Sequence, residues 1–447
     1  MREWIKAPLA ILAENAAGGL VVEDGRIAEL LLAGAAPPSP VDAVFDASRH
    51  VVIPGLVNTH HHMFQTLTRA HPAGINKELF PWIDAMLPLW SRHVNADNFR
   101  LATRLALTEL LMSGCTCVSD HHYLFPPGLD DAMDIQAEEA AALGMRVTLT
   151  RGSLNLTIEE GGLAPERGTQ DADTILADCE RIIGRYHDTS DGAMTRVALA
   201  PSAPFVVSKR LMMETVGLAL RHGCQLHTHL AETRDEIDYC RERFQCRPVD
   251  YLEDVGWMND RVWLAHGVHF NDDEITRLGR AGVGVCHCPT SNMVLASGQC
   301  RTRDLEAAGS PVGLGVDGSA SNDSSNLMEG VRHALMLNRL RYGSAAVTHL
   351  DALRWATEGS ARCLGRDDIG TIAVGRQADL ALYTLDELRF SGAGDPLAAL
   401  VLCGAHAADR VMVKGSWRVV DGRPLGVDLQ RLRREHGEAA KVFLEKV

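Results

Sequence analysis

Apolar residues along this chain fall into short runs, separated for most of its length by stretches with helical spacing. Near the start, Leu20-Val21-Val22 and Ile27-Ala28 flank Glu23-Asp24-Gly25-Arg26. Asp-Gly between two apolar runs predicts a β-hairpin. The same grammar returns near the other end. Residues 378–383 read as a strand, and 411–414 pass through Gly415-Ser416 into Trp417-Arg418-Val419-Val420 and then Asp421-Gly422. Two β-rich flanks around a different middle predict one small β domain built from both chain ends.

The middle alternates. A strand leads into His60-His61-His62, and apolar strand candidates follow at 115–119, 146–150, 197–200, 224–229, 262–266, 284–288 and 312–317. Helical patterns separate them at 97–112, 130–143, 174–186, 209–222, 272–281 and 303–308. Eight strands alternating with helices over roughly 300 residues predict an α/β fold, a (β/α)8 TIM barrel. A doubly wound open sheet is the alternative, but no G-x-G-x-x-G follows a strand. The predicted organisation is 1–54 for the first part of the β domain, 55–365 for the barrel, and 366–447 for the rest of the β domain with a C-terminal helix.

Composition narrows the class. The chain has 447 residues, 46% of them apolar, which suits a large core rather than disorder. A net charge of −14 and the lack of a basic motif argue against nucleic acid as a partner. No run of 18 apolar residues predicts a membrane span. The N-terminal apolar patch is interrupted by Glu14 and Asn15, unlike a secretory leader. The eleven cysteines are odd in number and lie in apolar strands, so they read as reduced thiols of a cytoplasmic protein. Cys286-His287-Cys288 has C-x-C spacing and no second cluster, so it reads as core rather than as a structural zinc site.

In a barrel the C-terminal strand ends carry the chemistry. Here they are polar: His60-His61-His62, Asp120-His121-His122, His227-Thr228-His229-Leu230-Ala231-Glu232, His266-Gly267 and Asp317-Gly318-Ser319. Residues i and i+2 of a strand share a face. His60 and His62 therefore converge, while His61 points away. His229 supplies a third imidazole and Asp317 a carboxylate, a ligand set for one divalent metal and an activated water. Asp317 can also accept that water's proton, Glu232 can protonate a ring nitrogen, and His266 can hold the hydroxide or polarise the forming C–O bond. Taken singly, Glu232 also suits a helix first turn and His266 a bonded core position.

PGLVNTHHH, HTHLAE, LAHG and GVDGS stand in the order and spacing of the amidohydrolase superfamily, and the chain resembles it over nearly its whole length. Cys288-Pro289-Thr290-Ser291-Asn292 and residues 370–380 share in the resemblance. It implies a barrel with a composite β-sandwich, and hydrolysis by metal-activated water. Binuclear members carry a carboxylated lysine at the end of strand four. Residues 196–204 contain no lysine, so the resemblance is to the mononuclear aminohydrolase branch, with one metal per chain, zinc or alternatively iron. In that branch metal-bound hydroxide attacks an amine-bearing ring carbon and ammonia leaves.

The segment after the first strand, with Phe80-Pro81-Trp82 and Leu89-Trp90, is similar to that of deaminases of free purine bases, which implies 8-oxoguanine or guanine as substrate. Triazine chloro- or aminohydrolases and deaminases of S-adenosylhomocysteine or methylthioadenosine are the alternatives. Gln65 can read a heterocycle edge, and Trp82 or Trp90 can stack on a ring or simply pack the core. His122 and Arg151, at the ends of strands two and three, are further candidates for substrate contact. Asn326 and Glu329 lie in a polar loop that lines the mouth or caps a helix. A non-catalytic scaffold relative would be expected to lose metal ligands, and this chain keeps all four. The expected partners are a small heterocycle and, by resemblance, further copies of the chain in a dimer or larger homo-oligomer.

Overall fold

A computed structural model describes residues 1–444. Eight parallel strands form its centre, in sequential order. The first is Leu56–Asn58 continuing into His61–His62. Then come Cys115–His122, Arg146–Ser153, Thr195–Pro201, Gln225–Leu230, Val262–His266 and Gly284–His287. The eighth is Val312–Leu314 with Asp317–Gly318 at its tip. Almost every strand residue is buried, because helices cover the outside while side chains fill the inside.

The ring closes between the last strand and the first. The Thr59 N–H donates to the Leu314 carbonyl at 3.0 Å, and Asp317 and Gly318 pair with His61 and His62. Two glycines permit this closure. A Cβ at Gly315 would lie 2.7 Å from both His60 Cβ and Cys286 Sγ, and one at Gly318 would overlap the Gln65 amide.

The chain ends form two further sheets, one of four strands and one of six. The first contains Arg2–Lys6, Gly19–Glu23, Arg26–Leu31 and Ala43–Asp46. The second pairs His50–Pro54 with Leu380–Thr384, followed by Arg410–Val413 and Ser416–Val420. Between them Ile5, Leu20, Val22, Val52, Leu380, Leu382 and Met412 make a core separate from that of the barrel. This is the composite β-sandwich. Its first hairpin turns at Asp24 and Gly25, with φ of 50° and 82°, as a two-residue turn in a right-twisted ribbon needs. A buried bidentate pair, Arg146 Nε to Asp379 Oδ2 at 2.6 Å and Arg146 Nη2 to Asp379 Oδ1 at 3.0 Å, fastens the barrel to the returning chain.

The C-terminal helix, Leu429–Ala440, lies on the barrel. It packs against the helix Ala96–Met112 and the short helix Met63–Thr68, where buried His436 Nε2 meets Thr66 Oγ1 at 3.1 Å. Asn326 caps the helix Leu327–Tyr342, its side chain accepting from the Glu329 N–H at 3.2 Å. Cap chemistry accounts for that polar loop. No described helix is long and apolar enough to cross a membrane.

Candidate active site

The strand tips bring their polar residues to one end of the barrel. His62 Nε2 lies 3.2 Å from His229 Nε2 and 3.3 Å from Asp317 Oδ1, and His60 Nε2 lies 3.4 Å from the same oxygen. The protons on these rings can be assigned from their other nitrogens. His62 Nδ1 donates to the His121 carbonyl at 2.8 Å and His229 Nδ1 to the Ser202 carbonyl at 2.7 Å. A carbonyl only accepts, so both Nε2 atoms carry bare lone pairs. Their 3.2 Å approach is thus two acceptors facing each other, not a hydrogen bond.

Three buried nitrogens and a carboxylate oxygen turned toward one point could hold a cation between them. His60 Nε2 has no hydrogen-bond partner although it is fully buried. Two imidazoles on one zinc, at about 2.0–2.1 Å each, stand roughly 3.3 Å apart in a tetrahedral set. His60, His62 and His229 therefore form one group that fits a divalent metal, and Asp317 Oδ1, 3.4 Å from His60 and 3.3 Å from His62, stands beside them as a fourth donor. Burial, reinforced by neighbouring histidines, holds the His60 pKa well below its usual value and pushes that of His229 down to about 3; burial also lowers that of His62. All three are neutral, as ligands must be.

Glu232 and His266 stand beside this cluster. His266 Nε2 is 3.3 Å from Glu232 Oε2 and 3.8 Å from Asp317 Oδ2. Burial raises the Glu232 carboxyl above its usual range, and the charge of Asp317 adds to the effect against His266. For His266 burial opposes the charge, but the carboxylates of Glu232 and Asp317 outweigh it and raise its pKa. The backbone is left-handed at Ala231 (φ 53°), His266 (φ 73°) and Asp317 (φ 66°). Non-glycine residues avoid this region unless their surroundings force it, and here three strand ends carry it together.

The cluster forms the floor of a cavity open to solvent, with apolar walls that include Leu79, Trp82, Trp90, Leu154 and Phe205. Gln65 also lines it. Its amide is held by the Ala320 N–H at 3.3 Å and the Tyr123 hydroxyl at 3.4 Å. Trp82 and Trp90 pack edge to face at 5.2 Å. Their N–H groups are taken by the Ala320 carbonyl and Thr68 Oγ1, which leaves ring faces and edges for the cavity.

His122 and Arg151 do not reach the cavity, which corrects their expected place at the substrate. The second strand runs on to His122, so Asp120 and His122 share its outer face. His122 packs 4.4 Å from Phe99 and 4.9 Å from Phe125. Arg151 faces outward from the third strand, bonded to Asp178 at 3.0 Å and Gln170 at 2.7 Å, with its guanidinium over Phe125. His61 also points away from the donor cluster, to Ser325 Oγ at 2.9 Å.

Several residues around the site have no role assigned by the sequence. Asn292 Oδ1 accepts from His266 Nδ1 at 2.9 Å, Ser297 donates to Glu232 Oε1 at 3.1 Å, and His227 Nε2 lies 2.8 Å from His60 Nδ1. For His227 a signal existed, since His227-x-His229 has the same spacing as His60-x-His62.

A model of the amidohydrolase family matches residues 51–418, which include every residue of this site. The chain belongs to the amidohydrolase family. This amidohydrolase is 59% identical to the 8-oxoguanine deaminase of Pseudomonas aeruginosa over 99% of each chain. It is 38% identical to an isoxanthopterin deaminase from an unidentified prokaryote, over 92% of this chain and 89% of the relative. Among solved structures, the atrazine chlorohydrolase of Arthrobacter aurescens TC1 complexed with zinc superimposes with a TM-score of 0.92 at 29% identity. That match covers 98% of this amidohydrolase and all of the other chain.

Proposed function

We propose that this amidohydrolase hydrolytically deaminates a free purine base, 8-oxoguanine first, giving urate and ammonia. The observation that carries the substrate is 59% identity to an 8-oxoguanine deaminase over the full length of both chains. The reaction class rests on the site: a Glu232 carboxyl whose pKa burial raises, an acceptor carboxylate at Asp317 and His266 between them, over a floor of neutral histidines.

In this reading His60, His62, His229 and Asp317 hold one divalent metal, zinc in the first instance. A metal held there supplies the Lewis acidity that makes water a nucleophile near neutral pH. The apolar walls orient the flat base and keep bulk water from the reacting carbon, and Gln65 bonds its polar edge. Asp317 takes the proton of the attacking water. Glu232 gives its proton to the ring nitrogen next to that carbon, and His266 donates toward the oxygen as it bonds. Asp317 then passes its proton to the exocyclic nitrogen, the C–N bond breaks and ammonia departs. As the carbonyl forms, the hydroxyl proton passes to Glu232, which is protonated again, while the ring nitrogen keeps the proton it received. One water enters and one ammonia leaves.

The test is ammonia release across 8-oxoguanine, guanine, isoxanthopterin, adenosine derivatives and aminotriazines. The proposal expects the highest kcat/KM on 8-oxoguanine. Turnover confined to a nucleoside or a triazine contradicts it.

A further inference from the structure

We propose that His227 is a positioning residue that fixes the tautomer of His60 and so prepares it as a metal ligand. The inference rests on the metal centre proposed above. His62 and His229 have their ring protons set by backbone carbonyls, which no substitution of a neighbouring side chain removes. His60 differs, because its Nδ1 meets the side chain of His227 at 2.8 Å.

For a neutral His227 ring, its partners set the proton order along this contact. His227 Nδ1 lies 2.8 Å from the Trp263 carbonyl. A carbonyl cannot donate, so His227 carries its proton on Nδ1 and offers a lone pair at Nε2. His60 must then donate from Nδ1, which leaves His60 Nε2 bare and aimed at the donor cluster. A His60 with the opposite tautomer would put two lone pairs at 2.8 Å and a proton where a ligand atom must be.

The slot that holds His227 is closely packed. Its ring stacks on the Trp263 indole at 4.3 Å with an 11° tilt, and both residues are fully buried. The same indole donates from Nε1 to the Thr59 carbonyl at 3.1 Å. Trp263 thereby holds both the acceptor ring and the backbone that leads into His60. His60, His121 and His227 also form a compact trio of nitrogens, but the His60–His227 pair is already joined by a hydrogen bond, so these atoms serve the ligand rather than a second ion.

Bonds to the far nitrogen of a ligating histidine typically contribute about 10- to 100-fold in metal affinity. The experiment strips the full chain of metal and measures Zn2+ affinity by competition with a chromophoric chelator. It compares the parent with His227→Phe, which keeps a ring and loses the acceptor, and His227→Gln, whose amide oxygen can accept near the Nε2 position. The expected result is about 10- to 100-fold weaker Zn2+ binding for His227→Phe, recovery toward the parent for His227→Gln, and a changed Co2+ absorption spectrum only in His227→Phe. If His227→Phe does not fold, His227→Met, equal in length to Gln without the acceptor, replaces it in the comparison. Parental affinity in the Phe or Met variant overturns the inference, as does a Gln variant as weak as they are. Failure of the parent to bind Zn2+, or parental affinity in His229→Ala, instead contradicts the metal centre itself, and the inference falls with it.

Discussion

Glu232 Oε2 faces His266 Nε2 at 3.3 Å across the end of the barrel, and each is anchored from behind, Glu232 by Ser297 and His266 by Asn292. The carboxyl is fully buried and turned toward the cavity, but it stands outside the cluster that includes His60, His62 and His229. The proton transfer proposed for Glu232 is therefore separable from metal holding by substitution.

Glu232→Gln keeps the shape and removes the transferable proton. We expect it to retain metal and to lower kcat by about 10²- to 10⁴-fold, the usual contribution of a general acid. Metal analysis and steady-state kinetics on the same preparation check this. A variant with nearly full turnover would remove Glu232 from the proton path.

His229→Ala deletes a donor whose Nδ1 is locked to the Ser202 carbonyl. Metal content is expected to fall to a small fraction of one ion per chain, while far-ultraviolet circular dichroism stays unchanged. Two tightly held ions in the parent chain would contradict the single-metal reading.

Much of this arrangement is legible in the sequence because a strand repeats every two residues. His60-x-His62 and the run from His229 to Glu232 sit where strand ends must put them, and Asp317 follows the last apolar run. The same rule accounts for the residues that lie elsewhere than the sequence predicts. With the second strand expected to stop at 119, His122 looks like a free strand end. The strand actually continues to His122, so parity turns that residue outward against Phe99 and Phe125. His227 lies on the inner face, but only the distance to His60 reveals what it does. The docking of the C-terminal helix joins residues 370 positions apart, and no local pattern encodes that.

Gly315 is open to a direct packing test. A Cβ there would meet His60 Cβ and Cys286 Sγ at 2.7 Å. Gly315→Ala is expected to cost about 1–3 kcal/mol, as overpacking of a close-packed core does, and to weaken metal retention by displacing His60. Thermal unfolding and metal analysis read the two effects. Parental Tm and metal content would show that the closure tolerates a side chain.

The C-terminal helix braces the segment that carries Gln65. His436→Ala removes its bond to Thr66, a contact of about 1 kcal/mol. We expect KM to rise by about fivefold, the equivalent of that energy, with metal content unchanged. An unaltered KM would make the helix a cover and nothing more.

Glu236 supplies the pH test. Its Oε1 accepts the Ala231 N–H at 2.8 Å and its Oε2 the Glu232 N–H at 2.9 Å, yet burial, the larger effect, pushes its pKa from the ordinary 4.5 up to about 7. A pKa raised on folding means that the folded chain binds more protons between those values. The corresponding stability is full below about pH 4.5 and is lost as pH rises through about 7. Glu236→Gln should therefore lose less stability than the parent between pH 5 and pH 8, measured as the difference in Tm. Equal pH slopes in the two proteins would contradict the shift.

The most direct measurement is ammonia and urate formation from 8-oxoguanine by the full chain, before and after removal of metal with a chelator. The account predicts equimolar ammonia and urate from the loaded protein, loss of both on chelation, and recovery when Zn2+ is returned. No product from 8-oxoguanine, or equal turnover in the stripped protein, would contradict it.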